Sequence, residues 1–153
     1  MSNQMIQTFH VVGISVRTIN ENGQAMKDIE ALWGRFWGEG IEKQIPNKVN
    51  DDIYAVYTDY VTDHTGPYTT IIGVLVNSLA DIPDGFVGVT IEADHYKKYV
   101  SKGKMPEAVV HTWMEIWEDE KLDRSYKADF TVHGEKYHNG NEAEVETFIS
   151  VQE

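Results

Sequence analysis

Cysteine is absent from this 153-residue chain, and proline occurs only four times. Without thiols there is no disulfide framework, no cysteine–zinc centre and no thiol redox chemistry. Basic residues are scarce as well: 13 Lys and Arg stand against 25 Asp and Glu, a formal charge of −12 with histidines neutral. Binding to DNA or RNA begins with a concentrated positive surface, so nucleic acid is a poor partner. Long apolar runs are missing, and the opening MSNQMIQTFH has neither the positive flank nor the apolar stretch of a secretory signal. A soluble, cytoplasmic protein with no membrane contact is the expectation. Catalytic signatures are equally thin. No serine sits in a G-x-S-x-G turn, there is no H-E-x-x-H, and Gly38 and Gly40 follow a helical pattern instead of a strand, which removes the dinucleotide-loop reading. His133 and His138, with Glu135 between them, read as a solvated hairpin; no cofactor and no metal site are expected.

What the chain does have is aromatic mass: 4 Trp, 8 Tyr and 5 Phe within an apolar fraction of 41%. That is too rich for disorder, and a chain of this length buries roughly 68–70% of its unfolded surface, enough for one core. A single domain over residues 1–153 is expected. Residues 10–16 (HVVGISV) form a β-branched run that exits into a polar loop at 18–23. From Gln24 the period changes: Ile29, Leu32, Trp33, Phe36, Trp37 and Ile41 make one stripe of an amphipathic helix. Residues 53–60 (IYAVYTDY) and 68–76 (YTTIIGVLV) suit two antiparallel strands joined through Gly66 and Pro67. A loop at 81–85 leads to a strand at 86–91, a helical pattern at 104–118, and two further strands at 126–133 and 144–151 around the turn-rich residues 138–141.

The order strand, helix, strand, strand is thus performed twice, over about 6–80 and 84–152. Residues 11–16 align with 87–92 and 53–57 with 129–133, each at an offset of 76. All four tryptophans lie in WGRFW and WMEIW, with 113 − 33 = 80 and 117 − 37 = 80. Two copies are too few for a solenoid. The expected fold is therefore α+β: tandem βαββ modules about a pseudo-twofold, antiparallel sheets with two main helices, and a ligand cleft between the modules.

Residues four apart share a helix face, so each W-x-x-x-W presents two indoles together. Strand alternation puts Ala55, Tyr57 and Asp59 on one face and Tyr54, Val56, Thr58 and Tyr60 on the other. An aromatic box of this kind attracts a cation through ring quadrupoles, worth about 0.5–2 kcal/mol per contact. Among many carboxylates, Asp129 is the first choice for a buried acid, because it opens the otherwise uncharged run Phe130, Thr131, Val132. The candidate ligand-binding residues are Trp33, Phe36, Trp37, Tyr57, Tyr68, Trp113, Trp117, Asp129 and Phe130.

FHVVGISVRT, LWGRFW, IYAVYTDY with GPYTTIIG, HTWMEIW and the late YKADF, in that order, resemble the effector-binding domain of AraC-type and MerR-type regulators and of gyrase-inhibitor-like proteins, over about residues 6–152. The resemblance implies small-molecule recognition, often of lipophilic cations, by aromatic walls and a buried acid. Many relatives carry D-F-E on the penultimate strand where this chain reads Asp129-Phe130-Thr131. No helix-turn-helix flanks the pattern, so direct DNA reading is not expected. The leading expectation is a binding module for a cationic, aromatic or lipophilic compound. A hydrolase using an acid with Tyr57 or Tyr68, and an acidic module acting on a regulatory protein partner, are the alternatives.

Overall fold

The computed structural model describes residues 3–61, 66–104, 107–119, 124–125, 128–134 and 143–152. In chain order its elements are β1 (Asn3–Ile6), β2 (Phe9–Thr18), α1 (Gln24–Gly38), α2 (Ile41–Gln44), β3 (Lys48–Thr58), β4 (Tyr68–Val76), β5 (Val87–Ile91), β6 (Asp94–Lys102), α3 (Glu107–Glu118), β7 (Ala128–His133) and β8 (Glu144–Ser150). The eight strands form one curled, antiparallel sheet in the order β1-β6-β8-β7-β3-β4-β2-β5. At its centre β3 pairs with β7, and this ladder joins the two halves.

Both strands of the run around β2 and β4 are buried on two sides, which is why they read as near-continuous apolar sequence. Val12, Ile14, Ile72 and Val74 pack under Leu32 and Phe36 of α1, together with Ile53 and Ala55 of β3. Val11, Val56 and Ile71 turn to the opposite face, where they meet Tyr96, Phe130 and Phe148. Helix α3 covers the other half more thinly, through Ile116 against Ile149 and Val151, with Tyr99 and Trp113 alongside.

Several expectations are corrected. The first helix stops at Gly38, and Gly40, at φ +60°, separates it from the short α2 that carries Ile41. Strand β3 begins earlier than expected, at Lys48, and ends at Thr58 because Asp59 takes φ +54°. Strands β1 and β6 were not expected; β6, DHYKKYVSK, fully buries only Tyr96 and Ser101 and so lacks an apolar run. With β6 present, the partner of residues 11–16 changes. His10 pairs with Thr90 on one edge and Ile6 with Asp94 on the other. The strand order reads symmetrically outward from the β3–β7 ladder, so β6 is the counterpart of β2 and β5 that of β1. The central strands keep the offset of 76. The expected turn at 138–141, the link at 62–65, and residues 105, 106, 126 and 127 of the expected elements lie outside the described residues.

Gly13 and Gly73 face each other across β2 and β4, and a Cβ on either would overlap the partner strand's backbone. The close approach demands glycine on both strands. Gly34, by contrast, lies inside α1 with open space around it. Gly13→Ala is expected to destabilise by about 2–3 kcal/mol, the range of forced overpacking, while Gly34→Ala stabilises by about 0.5–1 kcal/mol. Urea unfolding of the two variants checks the opposite signs.

Candidate functional site: an aromatic seam between the helices

Helix α1 packs on β2 and β4, and α3 on β6. The two middle strands, β3 and β7, therefore run between the helices. Ala55 and Tyr57 pair with Thr131 and Asp129, and Ile53 with His133, so these six side chains share the face that carries both helices. What covers them is indole. In each helix the residue between the two tryptophans is core: Phe36 is fully buried in α1 and Ile116 nearly so in α3. The tryptophans flank that core. Trp33 and Trp113 are half-buried, while Trp37 and Trp117 are 40% and 42% exposed. Within each pair the ring centroids lie 6.2 Å apart.

The inner indoles reach across the seam. Trp33, from the first half, meets the ring of His133 on β7 at 4.8 Å; Trp113, from the second, meets Tyr57 on β3 at 5.3 Å. These are equivalent contacts, since 113 − 33 = 80 and 133 − 57 = 76 match the helix and strand offsets. Each half thus roofs the other's central strand.

Beneath the roof lie polar groups. The Thr131 hydroxyl is 2.9 Å from His133 Nε2 and also hydrogen-bonds the Tyr57 phenol. The Tyr68 ring stands 6.3 Å from Tyr57 and 5.6 Å from Tyr60, and its hydroxyl donates to Asn20 Oδ1 at 2.6 Å. Burial pushes the Tyr68 phenol up to about 12. Tyr57 goes further up, through burial first and then its neighbours Tyr68 and Asp129. Tyr60 also lies well above the usual range, from burial and from Asp129. At neutral pH all three are neutral hydroxyls.

Asp129 is fully buried and accepts four hydrogen bonds. Oδ2 receives the Tyr60 hydroxyl at 2.5 Å and Arg124 Nη2 at 2.7 Å. Oδ1 receives the Ser150 backbone N–H at 2.8 Å and its hydroxyl at 3.1 Å. The β7–β8 ladder ends at Phe130 and Phe148, and the carboxylate caps the strand N–H beyond that point. The Arg124 side chain is only 4% exposed, with its guanidinium 6.0 Å from the ring centres of both Tyr60 and Trp113.

Of the sequence candidates, the structure brings Trp33, Trp37, Tyr57, Tyr68, Trp113, Trp117 and Asp129 to this seam. Phe36 lies beneath it in the core of the first half. Phe130 points to the opposite face, stacked on Phe148 at 4.8 Å. A cavity of about 330 Å³ opens on that opposite face, between Thr58, Ala128, Tyr96 and the turn from Thr90 to Asp94; it has one aromatic wall and stands apart from the indoles. Tyr60 was expected to face away from Tyr57, yet the left-handed Asp59 turns it back to reach Asp129. Arg124 and His133 were missed. His133 could have been found from its equivalence to Tyr57; Arg124 has no local pattern, being tied in by one bridge to Val151. Among the described residues no group of three or more His, Asp and Glu is placed to hold a metal, and no helix is long and apolar enough to cross a membrane.

Comparison with known proteins bears on this geometry. A putative transcriptional regulator, YobU of Bacillus subtilis, is 26% identical over 144 residues, 92% of this chain and 90% of its own. An integron cassette protein from the mobile metagenome of Vibrio cholerae superposes with a TM-score of 0.76 at 26% identity, over 99% of this chain and 95% of that one. A second structure, SAV2435 bound to tetraphenylphosphonium, shares the fold at a TM-score of 0.82 and 19% identity, over 99% and 93% of the two chains. Residues 5–151 match the model of a family described as integron-associated effector-binding proteins. The curled sheet with its helices is shared with these structures and the family match runs almost end to end: the chain belongs to the Cass2 family of integron-associated effector-binding proteins.

Proposed function

We propose that the effector is a flat or lipophilic aromatic compound that enters between Trp33 with Trp37 and Trp113 with Trp117 and comes to rest over Tyr57 and Thr131. The observation that carries this reading is the position of the indoles. Two indoles at equivalent places are 40% and 42% exposed although apolar residues beside them are fully buried, an arrangement that leaves large ring faces for a ligand. Affinity comes from ring contact and buried apolar area, at roughly 25 cal/mol per Å², with the Tyr57 and Thr131 hydroxyls orienting the guest.

Delocalised cations fall within this class. Ring faces favour them, the net charge of −12 raises their local concentration, and a protein of the same fold binds tetraphenylphosphonium. The aromatic faces, rather than the carboxylate, provide that attraction, because Asp129 is already filled by four donors. The same saturation weakens the hydrolase reading. Asp129 has no free oxygen with which to take a proton from water, and Tyr57 and Tyr68 are held in their neutral form.

Tetraphenylphosphonium and the neutral triphenylphosphine oxide are both expected to quench tryptophan fluorescence saturably. Unchanged emission with both, up to their solubility limits, removes the proposal. Trp37→Ala and Trp117→Ala are each expected to weaken both ligands about tenfold, for a loss of roughly 1–2 kcal/mol of ring contact, with little change in stability since both side chains are exposed. Equal affinity in both variants places the ligand elsewhere.

The buried phenols set an alkaline limit. Folding raises the Tyr68 pKa from near 10 to about 12 and that of Tyr57 higher. A group raised in the folded state contributes stability that is complete below the unfolded pKa and is lost as pH climbs through the folded one. Stability is therefore expected to hold to about pH 10 and fall towards pH 12, read by circular dichroism. Tyrosinate absorbance from these residues should appear together with unfolding and not before it.

A further inference from the structure

The two halves differ most at the buried ion pair. By the strand offset of 76, Asp129 is the counterpart of Ile53, and the bridge of Arg124 to Val151 is the counterpart of the Lys48 pairing with Val76. In the first half that place holds a buried isoleucine and an exposed lysine. In the second it holds a fully buried carboxylate and a buried guanidinium, 2.7 Å apart. The ladders differ there: Ile53 pairs with Val74, whereas the β7–β8 pairing stops at Phe130 and Phe148 and the Asp129 carboxylate takes the Ser150 N–H beyond it.

Their placement is that of a cation site with its cation present. The carboxylate is the acid, Trp113 and Tyr60 supply ring faces at 6.0 Å, and the guanidinium of Arg124 is the guest. Arginine is well suited to this, being planar, weakly hydrated and permanently charged. The Trp113 ring that faces it also packs on Tyr57 in the seam, and Tyr57 is the cross-strand partner of Asp129.

The geometry assigns Arg124 the role of specificity-determining residue for ligand charge: it is a resident cation that neutralises Asp129, so that no buried acid in the seam is open to the charge of the effector. This deepens the reading of the seam as the ligand site and rests on it. With this pair intact no buried acid is open to the guest, and only the ring faces and the net charge of −12 favour a cation over a neutral or anionic guest of the same shape. Removing the guanidinium exposes the acid and turns the site towards cations; removing the acid leaves the guanidinium uncompensated and turns it towards anions.

The test uses tetraphenylphosphonium and tetraphenylborate, which have nearly the same shape and opposite charge, titrated against the full chain by tryptophan fluorescence. Wild type is expected to favour the phosphonium by no more than about tenfold, a margin set by ring faces and net charge that narrows as salt rises. Arg124→Met is expected to shift the ratio about tenfold or more towards the phosphonium, and Asp129→Asn by a similar factor towards the borate, both shifts shrinking as salt rises. Thermal melts confirm that each variant is folded; should Arg124→Met not fold, the Asp129→Asn shift towards borate decides alone. Folded variants that bind both probes with the wild-type ratio overturn the role of Arg124 while leaving the seam as the ligand site. Absence of binding by either probe to wild type overturns both.

Discussion

The ladder between Ile53–Thr58 and Ala128–His133 is the junction on which the molecule depends, and it carries a geometric difficulty. Each half brings one main helix, and each helix covers the outer strands of its own half. The strands that join the halves are left between them, with small or polar side chains pointing up: Ala55, Thr131, Asp129 and His133. An open strip of that kind would leave the helices separated by water and the core exposed along its middle. Tryptophan resolves this because it is long enough to lean from a helix over its neighbour's strand and apolar enough to exclude water. The crossing of Trp33 to His133 and of Trp113 to Tyr57 follows from that need.

The seam was legible in the sequence where the physics is local. Four-residue spacing of the indoles is set by the helix period, and their offset of 80 by duplication, and both survive in the structure. Asp129 stood out because a charge opening an apolar strand must be satisfied or excluded, and it is satisfied four times over. Strand β6 was illegible because it lies next to the edge of the sheet: Lys97 and Lys98 keep contact with solvent, and only every fourth or fifth residue enters the core. Missing β6 misaligned the repeat, since the β-branched run at 87–91 resembles β2 in composition while occupying the place of β1. Composition reports burial, and pairing decides identity. Arg124 and the return of Tyr60 were beyond reach for a related reason. One depends on a single long-range bridge and the other on a left-handed residue, and neither leaves a periodic trace.

The departure from the D-F-E pattern gains a physical meaning from the same geometry. Thr131 is the counterpart of Ala55 and sits at the middle of the ladder, directly under the roof. A hydroxyl there brings no charge to the middle of the seam. The only fully buried acid among the described residues is Asp129, two positions along the strand, where the ladder ends and donors from Ser150 are available. The charge therefore lies at the end of the seam and not at its middle.

A buried ion pair is a weak contributor to stability, because withdrawing two charges from water offsets most of their attraction, and apolar replacements are often neutral or better. The first half of this chain supplies such a replacement at the equivalent place, with Ile53 packed at 2% exposure and Lys48 in solvent. Two solutions to one folding problem therefore coexist in one molecule. The carboxylate also has a structural task that Ile53 lacks, since the β7–β8 ladder stops at Phe130 and Asp129 accepts the Ser150 N–H beyond it. The second half instead sustains a carboxylate, a guanidinium, a phenol and two donors from Ser150 in mutual register beside Trp113, an arrangement in which loss of any one member leaves a buried group unsatisfied. That asymmetry gives the otherwise twofold seam a distinguishable end, with the hydroxyl and imidazole of Thr131 and His133 on one side and a closed, neutral pair on the other.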